Sequence, residues 1–229
     1  SDLVPSAQLQ YGYGTARLLT VFGWNTDKIK QAPTSWNDLW RADFKGHVSL
    51  PAIPGNAGFS LLTMIAKMNG GDESNLGPAF DKLAQLKPIG AFITFFPAAE
   101  PQIKSDDIYA IEDLAGAIQD FKNRGGPINY IIPAEGSPES MNVAVITKGT
   151  KHLELAKKLV GALIGPDVQL AYAQKLFYGT VDKALVIPPD VAAQIHPIGD
   201  DKVVQVNWSA IVPQEPALLD RWNKEIVGR

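Results

Sequence analysis

Short runs of apolar and β-branched residues alternate with helical patterns almost from end to end, and this alternation constrains the fold more than any other feature of the chain. It is typical of α/β domains and argues against a helix bundle or a β-sandwich. The predicted strands are Arg17–Gly23, His47–Leu50, Ile89–Phe96, Ile108–Ile111, Ile128–Ile132 and Asn142–Ile146. We therefore predict an α/β fold in which helices connect the strands.

The predicted helices carry recognisable start and stop signals. Ser35 and Asp38 have the spacing of a capping box and open a short helix through Trp40. Gly70–Gly71 supplies a left-handed stop for the helical pattern from Phe59 to Met68. The remaining predicted helices are Pro78–Leu86, Glu112–Arg124, Leu153–Leu163, Val168–Phe177 and a final amphipathic helix with Leu218, Leu219, Trp222 and Ile226.

Composition excludes several classes of protein. With 229 residues, 45% of them hydrophobic, the chain can bury one large core or two modest ones and is not disordered. Lys and Arg number 21 against 24 Asp and Glu, so no positive surplus exists to neutralise a phosphate backbone, and we predict no nucleic-acid partner. The densest apolar run, Leu159 to Ile164, is far shorter than the roughly 20 residues of a membrane-spanning helix.

The absence of cysteine removes disulfides, thiolate catalysis and zinc–thiolate sites together, but it gives no signal for a cellular compartment. The opening residues SDLVPSAQLQ contain neither a charged leader nor an apolar segment of a signal peptide. We therefore expect the chain either to be cytoplasmic or to have lost its leader.

No catalytic, metal or cofactor motif is complete. His47, His152 and His196 lie far apart, and none has a second ligand at metal-binding spacing. The glycine pattern Gly12–Arg17 ends in arginine where a dinucleotide fingerprint needs glycine, and both the nucleophile-elbow and phosphate-loop motifs are missing. We predict no catalytic residue, no bound metal and no cofactor.

Two segments suggest a binding function. Residues Pro51–Gly58 follow a strand and precede a helix, so their small side chains leave backbone amides open to an anionic or polar ligand group. Residues Pro133–Asn142 form a polar stretch between two apolar strands, and loops at strand ends are common ligand sites. An ordinary strand-to-helix turn and a plain solvent loop explain the two segments equally well.

The order of three segments resembles a known family. The segments are Trp24–Lys28 with NTDK, Pro33–Trp40 with PTSWNDLW, and Phe44–Leu50 with FKGHVSL. The likeness continues through Ile128–Gly136, Ala156–Lys158, Leu163 and Pro166–Val168. The chain resembles the periplasmic solute-binding proteins of ABC importers, in their spermidine/putrescine-binding branch. The resemblance implies a two-lobed, type II-like α/β protein that closes over a solute in its inter-lobe cleft, docks on a membrane permease and works in the periplasm.

The resemblance also implies a division into lobes. Residues 27–141, with 190–229 packing back on them, would form the second lobe, while residues 1–26 and 142–189 would be a remnant of the first. Members of the family have a long segment before the region that matches Val4–Asn25. We therefore expect an incomplete first lobe, and either self-association through it or a second chain that supplies the rest of the lobe.

The ligand contacts implied by the resemblance are Asn56, Ala57, Gly58, Ile111, Glu112, Glu139, Ser140 and Asn142. Polyamine binders carry an aromatic residue and an aspartate where this chain has Ser140 and Asn142. They carry a tryptophan where it has Ile111-Glu112. A long polycation would lose its stacking faces and one counter-charge, so a polyamine is disfavoured.

The remaining polar groups fit a smaller solute. Glu112 and Glu139 can meet a single amine, and Asn56, Ser140 and Asn142 offer neutral hydrogen bonds. We predict a receptor without enzymatic activity that binds a small polar, zwitterionic or amine-bearing organic solute. The alternatives are an α/β enzyme acting on a small polar metabolite and an isolated lobe that binds no ligand.

Overall fold

The structure is a computed structural model that describes residues 2–195 and 202–228. Contacts within the chain divide it into two units, which we call unit 1 (residues 2–19 and 139–195) and unit 2 (residues 20–138 and 202–228). The chain therefore passes from one unit to the other after residues 19 and 138. The lobes predicted from the sequence change over after residues 26 and 141 instead. Residues 190–195 group with unit 1.

The strands in chain order are β1 (Gln8–Leu9), β2 (Gly12–Asn25), β3 (Val48–Pro51), β4 (Ala91–Ile93), β5 (Ala110–Leu114), β6 (Ile128–Ile131), β7 (Ser137–Ala144) and β8 (Val203–Val204). The α-helices are α1 (Asn56–Met68), α2 (Gly77–Leu83), α3 (Glu100–Lys104), α4 (Ala115–Asn123), α5 (Leu153–Leu163), α6 (Pro166–Leu176), α7 (Pro189–Ile195), α8 (Trp208–Ile211) and α9 (Glu215–Arg221). A π-helical segment, Trp222–Val227, continues α9. No helix within the described ranges is both long and apolar enough to cross a membrane.

The sheet of unit 2 is mixed. Strand β3 lies between β4 and β5 and runs parallel to both. Residues 20–25 of β2 pair antiparallel with β5 on one side and with β6 on the other. The carboxyl ends of β3, β4 and β5 therefore share one edge, and ligands of open α/β sheets bind at such an edge.

A large core fills unit 2 on one face of this sheet, with side chains from β2, β3, α1, α2 and the C-terminal helices. Phe22 stacks on Trp36 with ring centroids 5.9 Å apart. The Trp36 indole donates a hydrogen bond to the Gly136 carbonyl at 2.9 Å. Ser35 and Asp38 form the predicted capping box at the start of the short 3₁₀ helix Trp36–Trp40.

Unit 1 has smaller clusters of buried side chains. Residues 12–19 of β2 pair with β1 and with residues 139–144 of β7. One cluster joins Leu3, Ala7 and Val181, and a second joins Ala173, Val191 and Ile195. Helix α5 contains no buried residue.

The α/β fold is confirmed, while two local predictions are wrong. Residues Ser137–Met141, which lie in the stretch predicted as a loop, belong to β7. Residues 137–138 pair with β8 and residues 139–141 pair with β2, although their Ser and Pro content resembles that of a turn. The predicted helix Glu112–Arg124 begins at Ala115, since Glu112 pairs with Phe22 in the sheet. The apolar spacing of Leu114, Ile118 and Phe121 did not reveal where strand gives way to helix.

Candidate functional site

The start of α1 is rich in backbone amides without side-chain caps. Gly55 is the N-cap residue, in an extended conformation, and no side chain caps the helix. The first helical hydrogen bond runs from the Phe59 N–H to the Gly55 carbonyl at 3.2 Å. The amides of Asn56, Ala57 and Gly58 precede it and have no partner within the helix, so they can donate to an anionic or polar group.

The side chains at this helix start are small for a physical reason. A Cβ on Gly58 would lie 2.5 Å from Ile53 Cγ2 and 2.9 Å from the Ala52 carbonyl oxygen. Asn56 is exposed and Ala57 is half-buried. Glycine at position 58 therefore lets the turn 52–55 pack directly against the first turn of α1.

Glu112 is the most unusual side chain in unit 2. It lies in β5 opposite Phe22 and is 2% exposed, and neither of its carboxylate oxygens has a hydrogen-bond partner among the residues that the structure describes. Burial raises the pKa of Glu112 well above its ordinary value, and the nearby charge of Asp113 adds to the rise. A buried polar group without a partner costs free energy, and such groups concentrate where a ligand completes the pairing.

Asp113 follows Glu112 in β5 and faces the opposite side of the sheet, since side chains alternate along a strand. Its Oδ1 accepts a hydrogen bond from the Leu114 N–H at 2.7 Å. Burial still raises the pKa of Asp113 to about 6. The same alternation puts Ile111 on Asp113's side of the sheet, so Ile111 does not join Glu112.

Strand register brings Glu112 to the edge from which α1 begins. Parallel pairing sets Val48 beside Ala110 and Ser49 beside Ile111, so position 50 of β3 is level with Glu112. The chain then passes through the turn 52–55 into α1. Unit 2 therefore combines two groups with opposite preferences. The buried carboxyl group attracts a cation, and the amides at the start of α1 attract an anion.

The predicted site residues of unit 1 have local partners. Glu139, Ser140 and Asn142 pair in β7 with Leu19, Leu18 and Ala16 of β2. The Glu139 carboxylate accepts a hydrogen bond from Arg17 Nε at 2.7 Å, so its charge is already balanced. Ser140 is half-buried and Asn142 is exposed.

Three buried hydroxyl groups of unit 2 were not among the predicted ligand contacts. The Oγ atoms of Ser49 on β3, Ser60 on α1 and Ser137 at the start of β7 are buried and have no hydrogen-bond partner among the described residues. Their residue type carries no signal, because serine is common in turns and on surfaces. That these hydroxyl groups are buried without a partner follows from the tertiary structure and not from the sequence.

The histidines do not form a metal centre in the part of the chain that the structure describes. The His47 ring stacks on Tyr109 with centroids 3.8 Å apart, and its Nδ1 lies 3.0 Å from the Asp107 carbonyl oxygen. His152 is exposed and precedes α5. Within residues 2–195 and 202–228 no three His, Asp or Glu side chains are grouped to hold a metal ion. His196 lies outside the described residues.

The mixed sheet, with a helix that begins at the carboxyl ends of its parallel strands, has the architecture of an α/β domain, and comparison with known proteins identifies its family. Residues 6–197 match the family model of bacterial extracellular solute-binding proteins. The chain belongs to this family, which confirms the resemblance predicted from the sequence.

Several relatives are named after a solute. The chain is 28% identical over 181 residues to the spermidine/putrescine-binding periplasmic protein of Escherichia coli (strain K12), covering 76% of this chain and 51% of the relative. It is 26% identical over 214 residues to the gamma-aminobutyric acid-binding protein of Pseudomonas aeruginosa, covering 86% of this chain and 58% of the relative. The chain thus spans about half the length of the first of these relatives.

The fold also matches solved structures. An ABC transporter protein from Clostridium perfringens ATCC 13124 superposes with a TM-score of 0.84 at 19% identity, covering 98% of this chain and 73% of that one. About a quarter of the Clostridium perfringens chain therefore has no counterpart among these 229 residues.

Proposed function

We propose that this chain is the solute-binding part of an ABC-importer receptor that binds a small amine-bearing solute and delivers it to a membrane permease. The family is named as extracellular solute-binding proteins, and the Escherichia coli relative is named as a periplasmic binding protein. We accordingly place the chain outside the cytoplasmic membrane, without catalytic turnover. The observation that carries the proposal is the buried, unpartnered carboxyl group of Glu112.

An ammonium group is the natural partner for Glu112. It would donate hydrogen bonds to both carboxylate oxygens, and its positive charge would favour the ionised carboxylate that burial now disfavours. The named solutes of the two relatives, spermidine or putrescine and gamma-aminobutyric acid, all carry amines. This shared chemistry supports an amine as the group that Glu112 recognises.

The start of α1 favours a solute that also has an anionic end. Backbone amides at a helix N-terminus stabilise a carboxylate, and the amides of Asn56–Gly58 begin at the same sheet edge as Glu112. A zwitterion such as gamma-aminobutyric acid supplies both charges, whereas putrescine supplies two cations. We therefore propose a zwitterionic solute rather than a polyamine. The contacts predicted at Glu139, Ser140 and Asn142 stay predictions.

Isothermal titration calorimetry with gamma-aminobutyric acid, putrescine and butyrate tests the proposal. We expect the aminobutyric acid to bind and butyrate, which lacks the amine, to bind much more weakly. Glu112→Gln should weaken binding by about 1.5–3 kcal/mol, roughly 10- to 150-fold, because a charge-assisted hydrogen bond is lost. The exposed Glu154 provides the matched control, since Glu154→Gln should leave affinity unchanged.

The protonation of Glu112 provides a second readout of the same experiment. The Glu112 carboxyl group has to be ionised when it binds an ammonium group, whereas burial favours its protonated form in the free protein. Complex formation should therefore release a proton, and the affinity should rise with pH. Titrations in two buffers with different ionisation enthalpies measure that release, and Glu112→Gln should abolish it. Equal affinities of wild type and Glu112→Gln, or binding of butyrate as tight as that of the amine, would contradict the proposed role of Glu112.

A further inference from the structure

Unit 2 contains a cavity at the amino end of β3, which we call the lysine pocket. It has a volume of about 300 Å³ and is lined by residues 39–42 and 85–87, together with Lys45 and Val48. Val48 is the first residue of β3, whereas α1 follows the last residue of that strand after a short turn. Neither Glu112 nor any residue of α1 lines the pocket. The lysine pocket is therefore separate from the proposed solute site.

Part of the lining of the lysine pocket is apolar and held in place. Leu39, Val48 and Leu86 are buried and belong to the large core of unit 2. Trp40 is half-buried and packs against the same core. Its indole Nε1 donates a hydrogen bond to the Lys82 carbonyl oxygen at 3.1 Å, and the Lys82 Nζ lies 4.6 Å from the centre of the ring. The pocket therefore offers an apolar surface whose position is fixed by packing and by the indole hydrogen bond.

The charged residues that line the lysine pocket are all positive. They are Arg41, Lys45 and Lys87, and no Asp or Glu stands among the described residues of the lining. Arg41 is already paired, because its Nε donates to the Asp43 Oδ1 at 3.1 Å. Lys45 and Lys87 are exposed, and the structure gives neither of them an ion pair or a side-chain hydrogen bond within residues 2–195 and 202–228. The pocket thus has two uncompensated positive charges on a chain whose net charge is −3.

An anion with an apolar body matches both parts of the lining. A carboxylate accepts charge-assisted hydrogen bonds from lysine ammonium groups, while an apolar body removes the indole and the leucines from water. We infer that the lysine pocket is a second binding site of this chain, for a small organic carboxylate whose charged group lies between Lys45 and Lys87 and whose apolar body lies against Trp40.

The size of the lysine pocket limits the ligand to a small molecule. Ligand pockets in proteins range from about 300 to 1,000 Å³, so this one is at the lower end. A cation of the same shape would meet the two lysines with like charge. A small anion without an apolar body would leave the contacts with Trp40 unused. Both charge and shape therefore favour an aromatic carboxylate.

Nuclear magnetic resonance of the ¹⁵N-labelled 229-residue chain tests the inference. The probes are benzoate, benzylamine, which has an aromatic ring with the opposite charge, and acetate, which has the charge without the ring. The readout is the indole N–H signal of Trp40, assigned by its loss in Trp40→Phe. We expect benzoate to shift this signal with saturation, and benzylamine and acetate to bind at least about tenfold more weakly. The signal reports on the lysine pocket even where a probe also binds at the start of α1.

Variants of the two lysines give the matched comparison. Lys45→Gln and Lys87→Gln should each weaken benzoate binding about two- to fivefold, and the double variant about fivefold or more, because exposed ion pairs are individually modest. The control is the double variant Lys104→Gln and Lys122→Gln, which removes two exposed lysines of α3 and α4 that do not line the pocket. It should leave the affinity unchanged. Added salt should weaken binding to the wild type more than to the double variant of Lys45 and Lys87.

Three results would overturn the inference. The first is a Trp40 signal that does not saturate with benzoate. The second is binding of benzylamine as tight as that of benzoate, which would leave the lysines without a role in recognition. The third is an equal affinity of the Lys45 and Lys87 double variant and the control variant. None of these outcomes bears on the proposed solute, whose binding is measured through Glu112.

Discussion

The two helices α1 and α5 have the same kind of sequence pattern and opposite environments. Both carry apolar residues at helical spacing, yet residues 58–66 of α1 are buried whereas α5 buries none. The difference shows that periodicity reveals where a helix has an apolar face but not whether that face is covered. In unit 2 the neighbouring strands and helices belong to the described chain, while in unit 1 the apolar faces remain exposed.

This contrast predicts very different costs for removing apolar side chains from the two units. Phe22→Ala should lower the free energy of unfolding of unit 2 by about 3–5 kcal/mol, because Phe22 is fully buried and stacks on Trp36. Leu159→Ala on α5 should change stability by less than about 0.5 kcal/mol.

The tryptophans separate the two measurements. All five, at positions 24, 36, 40, 208 and 222, belong to unit 2. Denaturation followed by tryptophan fluorescence therefore reports on unit 2, and far-ultraviolet circular dichroism reports on the helices of both units. A cost for Leu159→Ala as large as that for Phe22→Ala would show that α5 is buried in solution.

Replacing one glycine of each helix by alanine should change stability less, and in opposite directions in α1 and α5. Gly58→Ala should destabilise unit 2 by roughly 1–3 kcal/mol, because the new methyl group would overlap Ile53. Gly161→Ala in α5 should stabilise the helix by about 0.5–1 kcal/mol, since no described atom beyond its chain neighbours and the backbone of its own helix lies within 4 Å of the new Cβ. The same two spectroscopic signals measure both changes. Destabilisation by Gly161→Ala would mean that another segment already packs closely against α5.

The elements that follow from sequence are those with local causes. The capping box of Ser35 and Asp38 depends on residues three positions apart, and the Gly70–Gly71 stop depends on backbone freedom at one turn. The first part of β7 was missed, although its end overlaps the predicted strand Asn142–Ile146, because residues 139–141 are held in the strand by pairing with β2, more than a hundred residues earlier in the chain. Such pairing is invisible to patterns read along the sequence.

Some features of the candidate site could be predicted from the sequence, and others depend on the tertiary structure. Asn56–Gly58 follow from the strand-to-helix pattern, and Glu112 follows from the family resemblance. The isolation of Glu112 and the raised pKa of Asp113 depend on how the surrounding strands bury them. Glu139 forms a salt bridge with Arg17, which is distant in sequence. The sequence therefore did not predict that the charge of Glu139 is balanced.

Hydrogen exchange of the 229-residue chain, followed by mass spectrometry, tests the contrast between the units most directly. It compares peptides from α1, Asn56–Met68, with peptides from α5, Leu153–Leu163. Because amides exchange through local opening, we expect at least about a hundredfold greater protection in α1, equivalent to about 2.7 kcal/mol in opening free energy. Equal protection of the two helices in the chain alone would contradict the account of an uncovered unit 1.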